Sequence, residues 1–288
     1  MEAKKTILIT GANSGIGKET AKELAKDGSR IILACRNLES ANQVKDEIVQ
    51  DTKNENIVVM KIDLSSFQSI RDFAKEFLSK EERLDVLIHN AGYGGAFQKH
   101  KSADGIEITY AINYYGPFLL THLLIDILKK SAPSRIVIVA SDLYKLANVN
   151  LDNMNPVDTW PTYLYYSSKG ANILFTIELA RRLEGTNVSV NCLHPGIVDS
   201  AIWRHMPLPV RIPFSLVRYF FKTPAEGAKT SIYLATSDEV KTTSGKYFMD
   251  CQDATSSLKP YVSDPEKAKM CWEKSLEFVK LEPSDPKI

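Results

Sequence analysis

The 288-residue sequence lacks the features that mark several classes of protein. Its four cysteines are far apart and form no CxxC pair, so neither a disulfide framework nor a cysteine metal site is indicated. The five histidines show no metal-ligand spacing, and no Gly-x-Ser-x-Gly segment of the hydrolase type is present. We therefore expect reduced thiols, no metal and no Ser-His-Asp chemistry.

Long apolar runs and an excess of one charge are also missing. No run of about 18 apolar residues is present, and the first residues lead into an apolar strand rather than a signal peptide. The formal net charge is +1, so no overall field attracts nucleic acid. We expect a cytoplasmic protein with no transmembrane segment and no nucleic-acid partner. Peripheral residence on the endoplasmic reticulum or a lipid droplet is the alternative.

The sequence does contain an alternation of short apolar strands and helical stretches. Apolar segments begin near Ile7, Ile31, Ile57, Val86, Arg135 and Val188. Long helices are predicted from about Ile106 to Lys130 and from about Pro161 to Glu184. Such βαβ units predict a parallel sheet covered on both faces, and right-handed crossovers make it a doubly wound Rossmann-type sheet. We predict a single α/β domain with a cofactor half over about 5–142, a catalytic and substrate half over about 143–262 and an extension over about 263–288.

Three glycines stand in the turn between the first strand and the first helix. Gly11, Gly15 and Gly17 lack the Cβ atoms that would keep a pyrophosphate from the backbone N–H groups and the positive helix end. Their place in the first βα turn favours dinucleotide binding over a turn that only connects strand and helix.

The end of the second strand indicates which dinucleotide is bound. It reads Leu-Ala-Cys-Arg36, with no carboxylate for the ribose hydroxyls of NAD and with a guanidinium for a 2′-phosphate. Lys18 is either a second cation for that phosphate or a solvated surface residue. We expect NADP(H), with NAD(H) as the less favoured alternative.

Tyr165 and Lys169 are spaced to share one face of a predicted helix. A nearby ammonium stabilises phenolate and lowers the phenol pKa from its usual value of about 10, which makes the phenol a workable general acid/base. Such a pair is common on helix surfaces and means little alone. The hydroxyl of Ser141, at the end of a predicted strand, would complete an oxyanion-stabilising pair. Tyr166 is interpreted as packing or pocket lining.

Together with four other segments, these features resemble the short-chain dehydrogenase/reductase superfamily over roughly residues 5–250. The matching elements, in family order, are Thr10-Gly11…Gly15-Ile16-Gly17, Asp63-Leu64, Asn90-Ala91-Gly92, Asn113-x-x-Gly116, Ser141, Tyr165…Lys169 and Pro195-Gly196. Within the superfamily the chain is most similar to the retinol dehydrogenase-like, carbonyl-reducing branch. The resemblance implies an NADP(H)-dependent oxidoreductase that moves hydride between nicotinamide and an aldehyde, ketone or alcohol.

The resemblance also implies a role for each matching residue. Tyr165 is the implied proton donor or acceptor, Lys169 lowers its pKa and holds the nicotinamide ribose, and Ser141 orients the reacting oxygen. Asn113 is implied to hold a water of the proton relay. The implied cofactor-binding residues are Gly11, Asn13, Ser14, Gly15, Ile16, Gly17, Arg36, Asp63, Leu64, Asn90, Ala91, Gly92, Tyr165, Lys169, Pro195, Gly196, Val198 and Ser200.

The stretch 202–221 mixes apolar and aromatic residues with arginines. In the family this region forms the substrate lid, and its apolar content implies a small apolar carbonyl or alcohol: a retinoid, steroid, isoprenoid or xenobiotic. Trp203 and Met206 join Ser141 and Tyr165 as candidate substrate-binding residues. Core packing and a surface against a membrane or lipid droplet are the alternatives.

The resemblance further suggests a homodimer or homotetramer built on the helix that carries Tyr165. Three rival functions are an NADP-binding regulatory protein without activity, an NAD-preferring alcohol dehydrogenase and an extended-family epimerase or dehydratase. The complete Asn-Ser-Tyr-Lys set argues against the first. The short chain after Pro195 argues against the last, which normally needs a larger substrate domain.

Overall fold

The computed structural model of the chain describes residues 4–94, 100–199 and 221–288. Within them, eight strands form one sheet in the order β3-β2-β1-β4-β5-β6-β7-β8. The strands are β1 (Thr6–Thr10), β2 (Arg30–Cys35), β3 (Ile57–Lys61), β4 (Val86–His89), β5 (Ser134–Val139), β6 (Val188–His194), β7 (Lys246–Met249) and β8 (Gln252–Asp253). Neighbouring strands are parallel except β7 and β8, which are antiparallel. The predicted Rossmann-type α/β fold is confirmed.

Helices cover both faces of this sheet. They are α1 (Gly15–Ala25), α2 (Leu38–Thr52), α3 (Phe67–Lys80), α4 (Ile108–Tyr110), α5 (Gly116–Lys130), α6 (Pro161–Arg182), α7 (Pro224–Thr236), α8 (Pro260–Ser263) and α9 (Pro265–Val279). Successive strand residues point to opposite faces, so Ile7 and Ile9 pack with α1, α2 and α7 while Leu8 packs with α3, α5, α6 and α9. Two apolar cores result, one on each side of the sheet.

The helix predicted over about 106–130 is interrupted where it carries Asn113. The short helix α4 leads into a π-helical turn (Ala111–Tyr115), which is followed by α5. By length and a mean hydropathy of 1.2, the combined stretch Ile108–Lys130 meets the criterion for a membrane span. However, 89% of its most apolar window is buried inside the protein, as in the core helix of a globular domain.

The predicted C-terminal extension contains α9, which packs on α6. Trp272 of α9 is 1% exposed, and its ring centroid lies 4.8 Å from that of Phe118 and 5.8 Å from that of Phe175. The guanidinium of Arg182 lies over the same indole at 4.5 Å. As a result, α6 is buried against the sheet on one side and against α9 on the other. A homodimer or homotetramer built on α6 stays a prediction. Because α9 covers part of α6, less of the α6 surface is left for such an interface.

Candidate active site

A cavity of about 710 Å³ lies at the carboxyl ends of the parallel strands. It spans the point between β1 and β4 where the strand order reverses, which is where ligands bind in doubly wound sheets. The sequence-predicted residues that line it are Gly11, Asn13, Ser14, Gly15, Ile16, Gly17, Arg36, Asp63, Leu64, Asn90, Ala91, Gly92, Ser141, Tyr165, Lys169, Pro195, Gly196 and Val198. Asn113 is buried beside the wall. Ser200, Trp203 and Met206, and with them most of the predicted lid, lie outside the described residues.

The turn between β1 and α1 leaves no room for side chains at Gly11 and Gly17. Gly11 has a φ of +67°, and a Cβ there would lie 2.8 Å from the Cα of Ala91. A Cβ on Gly17 would lie 2.3 Å from the Nδ2 of Asn90, which itself donates to the Gly11 carbonyl at 3.2 Å. Ser14 precedes α1 without a capping bond from its side chain, so the first N–H groups of the helix face the cavity uncapped. This cradle fits a pyrophosphate.

The neighbouring end of β2 presents a cation and no carboxylate. Arg36 is exposed and lines the cavity, and burial raises the pKa of the preceding Cys35 thiol to about 11, which keeps it neutral. Lys18 does not line the cavity and is paired with Glu47 of α2. Of the two cations considered for a 2′-phosphate, Arg36 is therefore the one on the wall. Asp63 lies nearby and accepts bonds from the following turn.

Tyr165, Lys169 and Ser141 meet at the other end of the cavity. The Lys169 Nζ lies 5.7 Å from the centroid of the Tyr165 ring and donates to the main-chain carbonyl of Val139 at 2.7 Å. The Ser141 hydroxyl also acts on the Tyr165 phenol, whose pKa it lowers. Tyr165 and Lys169 are 8% and 3% exposed, so this group of side chains is largely shielded from water.

Burial governs the protonation of this group. It raises the pKa of Tyr165 to about 12, and Ser141 opposes that rise only in part. The lowering of the tyrosine pKa that the resemblance implies for Lys169 stays a prediction. Burial lowers the pKa of Lys169 to about 8. At neutral pH, Tyr165 is consequently a phenol with a proton to donate, and Lys169 is mostly an ammonium.

Asn113 connects three parts of the structure through its side chain. Its Oδ1 accepts the Tyr93 N–H at 2.7 Å, and its Nδ2 donates to the Tyr93 carbonyl at 3.0 Å and to the Ser168 hydroxyl at 3.0 Å. Both amide hydrogens are thus bonded to protein atoms and are not offered to a water. The side chain ties the π-helical turn to the segment after β4 and to α6.

Several residues of the cavity wall were missed by the sequence reasoning. Leu143 and Leu146 bring apolar side chains to it, and Leu146 is 62% exposed. Ile197 also lines the cavity and is 56% exposed; it belongs to the segment after Pro195-Gly196 that the resemblance places at the nicotinamide. His194 also lines the cavity; burial lowers its pKa, and within the described residues its buried Nδ1 has no hydrogen-bond partner. Their positions next to Ser141 and Pro195 were the available signal, since residues that follow a strand share its end. Among all residues that the structure describes, no cluster of His, Cys, Asp and Glu is placed to hold a metal ion.

Comparison with known proteins gives concordant results. The sequence model of the short chain dehydrogenase family matches residues 5–208. Retinol dehydrogenase 14 of Mus musculus is 48% identical over 93% of this chain and 84% of its own length, and retinol dehydrogenase 11 of Homo sapiens is 44% identical over 96% and 86%.

Solved structures extend this similarity to three dimensions. An uncharacterized protein from Mycobacterium Paratuberculosis superimposes with a TM-score of 0.76 at 29% identity, covering 97% of this chain and 95% of the other. A short chain dehydrogenase from Shigella flexneri, complexed with NADP, superimposes with a TM-score of 0.69 at 26% identity, covering 86% and 97%.

Proposed function

Because the chain belongs to the short-chain dehydrogenase family of oxidoreductases, we propose that it interconverts an apolar aldehyde or ketone and the corresponding alcohol, using NADP(H). The observation that carries this proposal is the continuity of one cavity from the glycine turn to Tyr165. A dinucleotide whose pyrophosphate binds at α1 would extend along the cavity towards the phenol. When bound, its nicotinamide supplies or accepts the hydride.

The side chains of this protein manage the reacting oxygen. In the reductive direction, a C–H bond forms at the carbonyl carbon and the Tyr165 phenol transfers its proton to the oxygen. The Ser141 hydroxyl donates to the oxygen as negative charge develops on it. The ammonium of Lys169, held by the Val139 carbonyl, stabilises the phenolate that remains. Oxidation of the alcohol uses the same groups in reverse.

Arg36 supports the preference for NADP(H), because a guanidinium binds a phosphate through charge-assisted hydrogen bonds. A carboxylate at the end of β2 would accept hydrogen bonds from the ribose hydroxyls of NAD, and the neutral thiol of Cys35 does not take its place. The bound NADP of the solved Shigella flexneri relative agrees with this choice.

Leu143, Leu146 and Ile197 support an apolar substrate. Apolar side chains that are exposed at the edge of a cavity favour the binding of an apolar ligand, because contact with it removes apolar surface from water. The retinol dehydrogenases among the relatives make a retinoid the first candidate, before steroid, isoprenoid and xenobiotic carbonyls. We also propose a cytoplasmic location, and this proposal rests on the sequence alone.

A substrate panel tests the proposal. The purified protein is assayed with apolar aldehydes, ketones and alcohols, with NADP(H) and NAD(H) in parallel, and with Tyr165→Phe as the background control. We expect turnover with apolar compounds and with NADP(H) preferred. NADP(H) binding without any turnover would instead indicate a regulatory NADP-binding protein, and faster turnover with NAD(H) would reverse the cofactor assignment.

A further inference from the structure

Asn113 and Tyr165 lie on different helical elements, and one buried hydroxyl connects them. Ser168 lies on α6, directly before Lys169, and is 0% exposed. Its Oγ accepts from the Asn113 Nδ2 at 3.0 Å and donates to the Tyr165 main-chain carbonyl at 2.8 Å. A hydroxyl has a single hydrogen, so the direction of both bonds is determined.

The far side of Asn113 is anchored as well. Two bonds to the main chain of Tyr93, at 2.7 Å and 3.0 Å, hold its carboxamide against the segment that follows β4. This segment begins with Asn90, Ala91 and Gly92, which form part of the cavity wall. We call this part of the wall the cavity floor. A continuous series of hydrogen bonds therefore runs from the cavity floor through Asn113 and Ser168 to the turn of α6 that carries the Tyr165 phenol.

We propose that Ser168 is a positioning residue that holds Tyr165 in register with the cavity floor through Asn113. Without its hydroxyl, the second Nδ2 hydrogen of Asn113 is buried with no acceptor, and the π-helical turn and α6 lose this side-chain hydrogen bond. A reacting group that moves by about 1 Å loses on the order of 10²-fold in rate, so a smaller shift of the phenol is measurable. The kinetic part of this inference rests on the proposed oxidoreductase function.

Ser167 provides a matched control on the same helix. It is 1% exposed, and its hydroxyl likewise bonds to a carbonyl three residues back, that of Leu164 at 3.3 Å. Unlike Ser168, it forms no hydrogen bond with Asn113, whose Nδ2 donates to Tyr93 and Ser168. Both substitutions to alanine remove a buried hydroxyl and a local helix bond, and Ser168→Ala alone interrupts the series between Asn113 and Tyr165.

The first experiment compares steady-state kinetics of Ser168→Ala and Ser167→Ala with melting temperatures of both. We expect Ser168→Ala to lower kcat about tenfold with the KM for NADPH within about twofold, because groups are misplaced rather than removed. Ser167→Ala should leave kcat within about twofold at a similar loss of melting temperature. Equal losses of kcat in the two variants, or none in Ser168→Ala, would overturn the proposal. Should Ser168→Ala not fold, Ser168→Cys, with a weaker acceptor, gives the same comparison.

The second experiment does not depend on turnover. In protein labelled with ¹³C at tyrosine Cζ, the Tyr165 signal is identified by its loss in Tyr165→Phe. We expect Ser168→Ala to shift or broaden this signal and Ser167→Ala to leave it in place. An unmoved signal in Ser168→Ala would contradict the proposal. A moved signal in a protein with no activity on the substrate panel would reject the proposed function and leave the positioning role in place.

Discussion

The two ends of the cavity are built in opposite ways. The phosphate end depends on missing side chains: a Cβ on Gly17 would lie 2.3 Å from the Asn90 side chain. The reaction end depends on three side chains being present, those of Ser141, Tyr165 and Lys169, inside largely dry surroundings. An added atom should therefore damage the first end, and a removed atom the second.

The ends also differ in how charge is handled. At the phosphate end, backbone N–H groups and the exposed Arg36 guanidinium supply fixed positive charge and hydrogen-bond donors. At the reaction end, burial moves the pKa of Tyr165 to about 12 and that of Lys169 to about 8. Above neutral pH, activity should respond to pH through Lys169 at the reaction end.

Removal of one oxygen atom at the reaction end is expected to have the largest effect. Tyr165→Phe removes the proposed proton donor, and we expect kcat to fall about 10³-fold, within the range for general acid catalysis. The cofactor Kd, measured by fluorescence titration, should change by less than about twofold because the phosphate end is untouched. A variant that keeps a tenth of the activity would show that another group donates the proton.

Addition of one carbon atom at the phosphate end is expected to rank second. Gly17→Ala places a Cβ 2.3 Å from Asn90 and 2.6 Å from the Gly11 carbonyl, so the turn must open. At about 3 kcal/mol for overpacking, the Kd for NADPH should rise on the order of 100-fold.

Gly185→Ala is the control for that substitution. Gly185 has a positive φ of +79°, which Gly17 does not, but a Cβ on Gly185 meets nothing within 4 Å, and the residue does not line the cavity. It should lose stability through backbone strain without loss of cofactor affinity. An equal rise of Kd in both variants would show that a general loss of stability, rather than space at the cradle, governs binding.

The parts of the site that were predictable are those written in short segments. A glycine turn between strand and helix and a Tyr-Lys pair on one helix face are local patterns, and their order along the chain identified the family, which is confirmed. Strand ends gather on one edge of a parallel sheet, so eighteen residues predicted from their segments line the same cavity, as Gly11, Ser141 and Gly196 illustrate.

The rest required tertiary contacts that no local pattern encodes. Asn113 hydrogen-bonds with Tyr93 and Ser168, which lie 20 and 55 residues away along the chain. Its π-helical turn is as apolar in composition as the regular helix predicted there, so composition does not distinguish the two. The pKa of Tyr165 depends on how completely the surrounding chain buries it, which the spacing to Lys169 does not report.

Arg36 tests the charge of the phosphate end with a smaller expected effect. Arg36→Leu removes charge-assisted bonds of about 2 kcal/mol, so the Kd for NADPH should rise roughly 30-fold while that for NADH stays unchanged. Lys18→Met is the control, because Lys18 is paired with Glu47 and lies off the cavity wall. Parallel losses for both cofactors in Arg36→Leu would argue against a 2′-phosphate contact.

The smallest expected effect is the pH dependence of the reductive kcat/KM. The pKa of Lys169 is lowered to about 8, so its ammonium is present below that pH and is lost above it. The pKa of Tyr165, at about 12, keeps its proton in place throughout. We expect a flat profile from pH 6 to 7, about a twofold decrease at pH 8 and a steeper decline beyond. Constant activity up to pH 10 would show that the charge of Lys169 is not required.

The burial of the Trp272 indole determines which residues a fragment of this protein needs in order to fold. The family match stops at residue 208, yet Trp272 is 1% exposed among rings of α5 and α6. A fragment trimmed to the matched region would leave those aromatic rings open to water and prone to aggregate. The folded unit thus extends beyond the segment that the family model matches, and a fragment made for expression must include α9.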